Sequence, residues 1–243
     1  MAFPFPRSTT PDVDVYRVPG VCDRESLEKF YQRKLSKEVT VFKAQYLAIE
    51  SDLIQSFRYV SPASANRQVF SINFGMLIKE AANLTELVCR RIYTQLYVCT
   101  PGQVRNLSIK NFLSLDVHLN FASELVDSRF FYDAFDRSPE VYQPFTALPA
   151  WDRSSLFPDN CIPTWWTAHN RLKHTNESLA QDATLENAMA AVAASFVAIS
   201  CAYGMGVVYG HLIEYDGSIR GEVAPGLFTL RKHGVFDRHD IAK

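Results

Sequence analysis

Apolar residues recur at helical spacing along most of this chain. After Asp23, an N-cap candidate with Ser26 as a second, Leu27, Phe30, Tyr31 and Leu35 predict a first helix. Tyr46, Ile49, Leu53 and Phe57 predict a second over Phe42 to Phe57, and Ser61-Pro62-Ala63-Ser64 interrupts it. The longest signal runs from Asn66 to about Tyr97. Phe70, Leu77 and Leu84 lie seven apart, as do Phe74, Ala81 and Val88, with Ile92 and Leu96 extending the stripe. Beside it run Asn73, Met76, Glu80, Asn83 and Leu87. Thr100-Pro101-Gly102 is expected to close this helix, and Ile109 to Leu119 suits a short one. Glu124 to Asp127 and Val141-Tyr142 read as short strands of a small β-hairpin. Pro163 opens a helix carrying two tryptophans, and Asp182 or Thr184 caps an alanine-rich one from Ala183 to about Gly204. Val207 to Tyr209, His211 to Glu214 and Leu227 to Leu230 are read as extended segments of a tail.

The resulting fold class is mainly α, an antiparallel helical bundle with a small β-hairpin insert and short extended segments in its C-terminal tail. Residues 1–22, rich in proline and small polar groups, form an extended arm. The helical domain covers 23–205 with an insert at about 120–162, and 206–243 is the tail.

Composition narrows the function classes. A formal net charge of -1 on 243 residues gives no global field for nucleic acid, so any such contact has to be local. Arg90-Arg91 with Arg105 and Lys110, and Arg171 with Lys173, are the short basic patches on offer. Five scattered cysteines without a Cys-x-x-Cys pair point to reduced thiols in a cytoplasmic protein, with no zinc site and no disulfide framework. The N-terminus lacks the basic start and apolar core of a signal peptide. Asn187 to Gly210 carries no formal charge and is long enough to span a bilayer. Its alanine content, its Ser195 and Ser200, and its acidic flanks favour a helix buried inside a bundle, so no membrane partner is expected. Phosphate loops, nucleophile elbows and zinc motifs are missing, and no cofactor or metal is expected.

The candidate chemistry lies in Trp165-Trp166-Thr167-Ala168-His169-Asn170-Arg171-Leu172-Lys173-His174. On a helix at about 100° per residue, Trp165, Ala168 and Leu172 share one side with His169 at its margin. Thr167, Asn170 and His174 share another, with Arg171 close by. Asn170 and His174, four apart, reach the same phosphate or hydroxyl. An imidazole takes a proton from a ribose 2′-hydroxyl or gives one to a leaving oxygen, and Arg171 offsets phosphoryl charge. Glu80 either stays solvated on its helix flank or positions a cation or histidine on the helix opposite. Asn170 and His174 also have a structural reading, as bonds to their own chain near a helix C-terminus.

These residues, followed by Ala183-Thr184-Leu185-Glu186-Asn187-Ala188 and an alanine-rich helix, resemble one branch of the HEPN superfamily. Arg58-Tyr59-Val60, Ser71 with Phe74, and Tyr142-x-Pro144-Phe145 extend the resemblance over roughly residues 40 to 205. The resemblance implies an up-and-down bundle that dimerises with the motif helices of two protomers facing each other. It also implies a metal-independent endoribonuclease of a bacterial toxin–antitoxin, abortive-infection or antiphage system. His174 matches the family's histidine and Asn170 its polar position. His169 stands where the family has arginine, and Arg171 lies three residues before His174. The expected site is therefore His174, Asn170, Arg171 and Glu80, with Lys173 and His169 as RNA contacts. RNA, a second copy of the chain and a partner protein encoded nearby are the expected partners. Other members of the family are non-catalytic interaction modules, and that alternative stays open.

Overall fold

A computed structural model of the protein describes residues 24–96, 100–113, 115, 126–128, 141–145, 162–174, 179–209 and 227–230. These residues are mostly helical. The helices are α1 (Arg24–Ser56), α2 (Ile72–Leu96), α3 (Pro101–Arg105), α4 (Ile109–Leu113), α5 (Thr164–His174), α6 (Leu179–Asp182) and α7 (Leu185–Tyr209). The strands are β1 (Val126–Ser128), β2 (Val141–Tyr142) and β3 (Phe228–Leu230). The arm at 1–22, most of the 120–162 insert and the segment His211 to Glu214 lie outside the described residues.

Helix α7 is the axis of the packing, contacted by α2, α1 and α5. Ala191, Val192, Ala193, Ala194, Ser195, Phe196, Val197, Ala198 and Ile199 are all buried, so every side of that helix faces protein. Alanine makes this arrangement feasible, because a short side chain lets neighbouring helices approach closely from several directions. The helix is apolar and long enough to cross a membrane, and it is largely buried within this fold. The buried hydroxyl of Ser195 in this helix is satisfied. Ser195 Oγ donates to the Ala81 carbonyl at 2.8 Å and lies 3.1 Å from Thr85 Oγ1, which gives α2 and α7 a polar link inside the core.

Helix α2 behaves as its stripe predicts over Phe74, Leu77, Ala81, Leu84, Val88 and Ile92, all buried, while Asn73, Met76, Glu80, Asn83 and Leu87 are exposed. Its start is later than the periodicity suggests. Ser71 is the N-cap, its hydroxyl accepting from the Asn73 N–H at 3.2 Å, and Phe70 falls in the preceding loop and is exposed. That loop has its own task. The Val69 and Arg67 carbonyls accept the Leu185 and Glu186 N–H groups, both at 3.0 Å, and Ser71 N–H donates to the Ala183 carbonyl. The free amides in the first turn of α7 are thus met by another part of the chain. Thr184 adds the side-chain cap, accepting from Asn187 N–H at 3.3 Å.

Three other boundaries differ from the pattern. The first two predicted helices are one, because nothing between Leu35 and Phe42 is a glycine or proline. Thr100-Pro101 opens α3 instead of closing α2, through a capping box between Thr100 and Gln103. Residues 207–209 continue α7 as helix, not strand.

The three strands form one sheet with β1 in the centre, antiparallel to both neighbours. Val126 opposes Tyr142 on one side and Leu230 on the other. The residues joining β1 to β2 fall outside the described set. The tail strand β3 is firmly seated: Leu227 and Phe228 are fully buried, and Phe228 stacks on Phe196 of α7 with ring centroids 6.2 Å apart. Glu50 of α1 is buried beneath it, accepting from Tyr46 hydroxyl at 2.9 Å and from Leu227 N–H at 2.8 Å. Cys89 and Cys201 are buried in the core, and burial, with Glu86 adding to it, pushes the Cys89 thiol up to about 12.

Candidate functional site

Helix α5 is held by its aromatic side. Pro163 supplies the carbonyl that accepts from Trp166 and Thr167 N–H, both at 3.1 Å, and begins the first turn. Trp165 is buried and donates its indole N–H to the Pro144 carbonyl at 2.8 Å, with Phe145 edge-on at 6.0 Å. Trp166 meets Trp165 edge-on at 5.6 Å and is also buried. The Tyr142-x-Pro144-Phe145 stretch is therefore joined physically to the tryptophan pair. Aromatic side chains of this size bury about 150–250 Å² each, so these contacts dominate the seating of the helix.

The opposite face is open. Asn170, Arg171, Lys173 and His174 are all exposed, and Thr167 is half-buried. Asn170 and His174 stand one turn apart on the same side, as the spacing predicts. Lys173 and His174 occupy the last turn, where positive charge suits the helix C-terminus.

Three expected participants are placed differently. His169 is only 2 % exposed, with its ring tilted against Trp166 at 5.2 Å, and so does not stand with the surface groups. Its Nδ1 is buried without a hydrogen-bond partner. Burial holds its pKa below the usual histidine range; Lys173 adds to this, as do Lys79 and His174 more weakly, while Glu86 opposes it. Arg171 is exposed, but its Nη1 lies 3.4 Å from Oδ1 of Asp182, a buried carboxylate whose other oxygen has no hydrogen-bond partner. The guanidinium thus has a structural charge to answer. Glu80 is exposed and falls roughly 120° round α2 from Glu86, on the side of Arg91, which bonds Glu38 of α1. The α2 groups whose charge acts on His169 are Glu86 and Lys79, neither of which the periodicity singles out.

The second basic patch is likewise engaged. Arg90 pairs with Glu86 at 2.6 Å, donates to the Val104 carbonyl and lies over the Phe112 ring, while Arg91 is paired with Glu38. Both arginines tie helices together. The exposed end of α5 thus holds one imidazole, one amide and a lysine within two turns, a set that can donate hydrogen bonds to phosphate oxygens and move a proton. Compared with protein-family models, with curated proteins and with solved structures, the chain has no match.

Proposed function

We propose that the chain is an RNA-directed, HEPN-like protein of a bacterial conflict or defence system, a cytoplasmic homodimer of antiparallel helical bundles that cleaves RNA without a metal ion. The observation that carries this reading is the split face of α5. Its tryptophans are buried while His174 and Asn170, one turn apart, stand open to a ligand.

Cleavage would proceed by removal of the ribose 2′-hydroxyl proton, attack of O2′ on phosphorus and departure of the 5′-oxygen with a proton, leaving a 2′,3′-cyclic phosphate. One imidazole cannot take and give a proton in the same step. A second copy, with its His174 across a two-fold axis, supplies the other role. Asn170 donates its amide hydrogens to a non-bridging oxygen as charge gathers there. The test is cleavage of single-stranded RNA in the presence of a chelator. His174→Ala is expected to lose about 10²–10⁴-fold in rate with dimerisation intact. An unchanged rate in that variant removes His174 from the reaction.

A second reading has its own observation. The position matching the family's arginine holds the buried His169, and Arg171 is paired with Asp182. A helical interaction module without catalysis accounts for both. Co-purification with one defined partner, and no RNA cleavage at concentrations where the chain is dimeric, would select it.

A further inference from the structure

Asp182 and Thr184 are both capping residues by type, and Thr184 is the one that caps α7. The Asp182 carboxylate is thereby left for another task. It is 5 % exposed, its Oδ1 lies 3.4 Å from Arg171 Nη1, and among the described residues its Oδ2 has no hydrogen-bond partner. Stability alone accounts poorly for that arrangement. Burying a carboxylate costs free energy, and the arginine side chain of the pair is 60 % exposed, where water screens the attraction. The backbone beside the carboxylate is nevertheless firmly held. The Asp182 carbonyl accepts from the Asn187 side chain at 3.0 Å, and the Ala183 carbonyl accepts from Ser71 N–H at 3.0 Å. The starts of α2 and α7 thus fix a negative charge at a set place next to Arg171. We propose that Asp182 is a positioning residue, whose carboxylate holds the Arg171 guanidinium beside His174 to meet a phosphate of bound RNA.

This rests on the RNA-directed reading above and gives it an oriented cation. On α5, Arg171 lies about 60° round from His174, and Asn170 about 40° round on the other side. His174 therefore stands between an amide and a guanidinium. An arginine fork carries five N–H donors, so bonding a carboxylate and meeting a phosphate oxygen are compatible. A tethered guanidinium also loses less freedom on meeting its ligand than one swinging in solvent. A cation held in place before charge gathers on the phosphoryl oxygens acts on kcat more than on KM.

The experiment is steady-state cleavage of single-stranded RNA in the presence of a chelator, with kcat and KM separated. The variants are Arg171→Gln, Asp182→Asn and the two together, and thermal unfolding of each reports on folding independently. Arg171→Gln is expected to lower kcat by about 10²–10³-fold. Asp182→Asn is expected to lower it by up to about 10²-fold, the cost of a group misplaced by about 1 Å. KM stays near the wild-type value in both. The double variant is no slower than Arg171→Gln, because Asp182 acts only through that arginine. It also unfolds at a higher temperature than Arg171→Gln, which strips a buried carboxylate of its cation. Arg171→Lys, a change at an exposed position, keeps the charge without the planar fork and is expected to lower kcat as well. If Asp182→Asn or Arg171→Lys keeps the wild-type kcat, or if the two losses multiply in the double variant, the positioning role is overturned and the RNA-directed reading stands. Changes confined to the unfolding temperature mark the pair as structural and overturn the role too. A wild-type chain that cleaves no RNA sinks both proposals.

Discussion

His169 is a buried imidazole that the fold keeps neutral, and that has a measurable consequence. In the unfolded chain it titrates near its ordinary value of 6.5. In the folded chain burial lowers that value, Lys173, Lys79 and His174 lower it further, and Glu86 pulls it partly back. Between the two values the unfolded chain holds the extra proton, so protonation favours unfolding. The contribution to stability is whole above about pH 6.5, is lost as the pH falls toward the folded pKa, and levels off below it. Thermal unfolding followed from pH 8 to pH 5 should show Tm falling in the acidic part of that range. The fall should be shallower in His169→Gln. Equal pH dependence in the two proteins would mean that His169 is protonated in place. The unpartnered Nδ1 adds a second cost, since a buried polar atom without a partner destabilises by about 1–3 kcal/mol.

At the scale of elements, α7 makes the sharpest prediction. Ala194 is fully buried in a helix closed on all sides, so Ala194→Leu overpacks it and should destabilise the protein by about 1–3 kcal/mol in denaturant titration. Ala190, only partly buried, should tolerate leucine far better. A lipid-facing helix would accept leucine at both positions, so equal tolerance would contradict the packing described above. Helices α2, α5 and α7 were legible in the sequence because each has a continuous apolar pattern over several turns. The ends were not. Phe70 keeps the period of α2 by coincidence of spacing while belonging to a loop that pairs with Thr184, a partner far along the chain. Thr100-Pro101 carries a start signal and a stop signal in the same residues, and the capping box with Gln103 decides between them. The exposed face of α5 could be drawn from angular spacing alone. Lys79 and Glu86 could not, because which flank of α2 meets α5 depends on the packing of two helices about ninety residues apart.

Across the whole molecule, regions near both ends of the chain are bound into one core. Glu50 on α1 accepts the Leu227 N–H across 177 residues, with the Tyr46 hydroxyl on the same oxygen. Glu50→Leu takes the acceptor from the Leu227 N–H, a buried donor, at a cost of about 1–3 kcal/mol. The amide of Leu227 should then exchange with solvent much faster than in the wild type, whereas Glu50→Gln, which keeps an acceptor oxygen, should stay close to it. Unaltered exchange in Glu50→Leu would mean that β3 is seated by Phe228 alone. The loop before α2 ties sequence-distant parts together in the same way. Gln68 bonds Glu186 across 118 residues, and the Arg67 and Val69 carbonyls wait for the first turn of α7. A ribosome making this chain therefore releases α1 and α2 long before their principal neighbour exists. Their apolar stripes stay uncovered until synthesis has passed residue 200, which makes the nascent chain a natural client for chaperones.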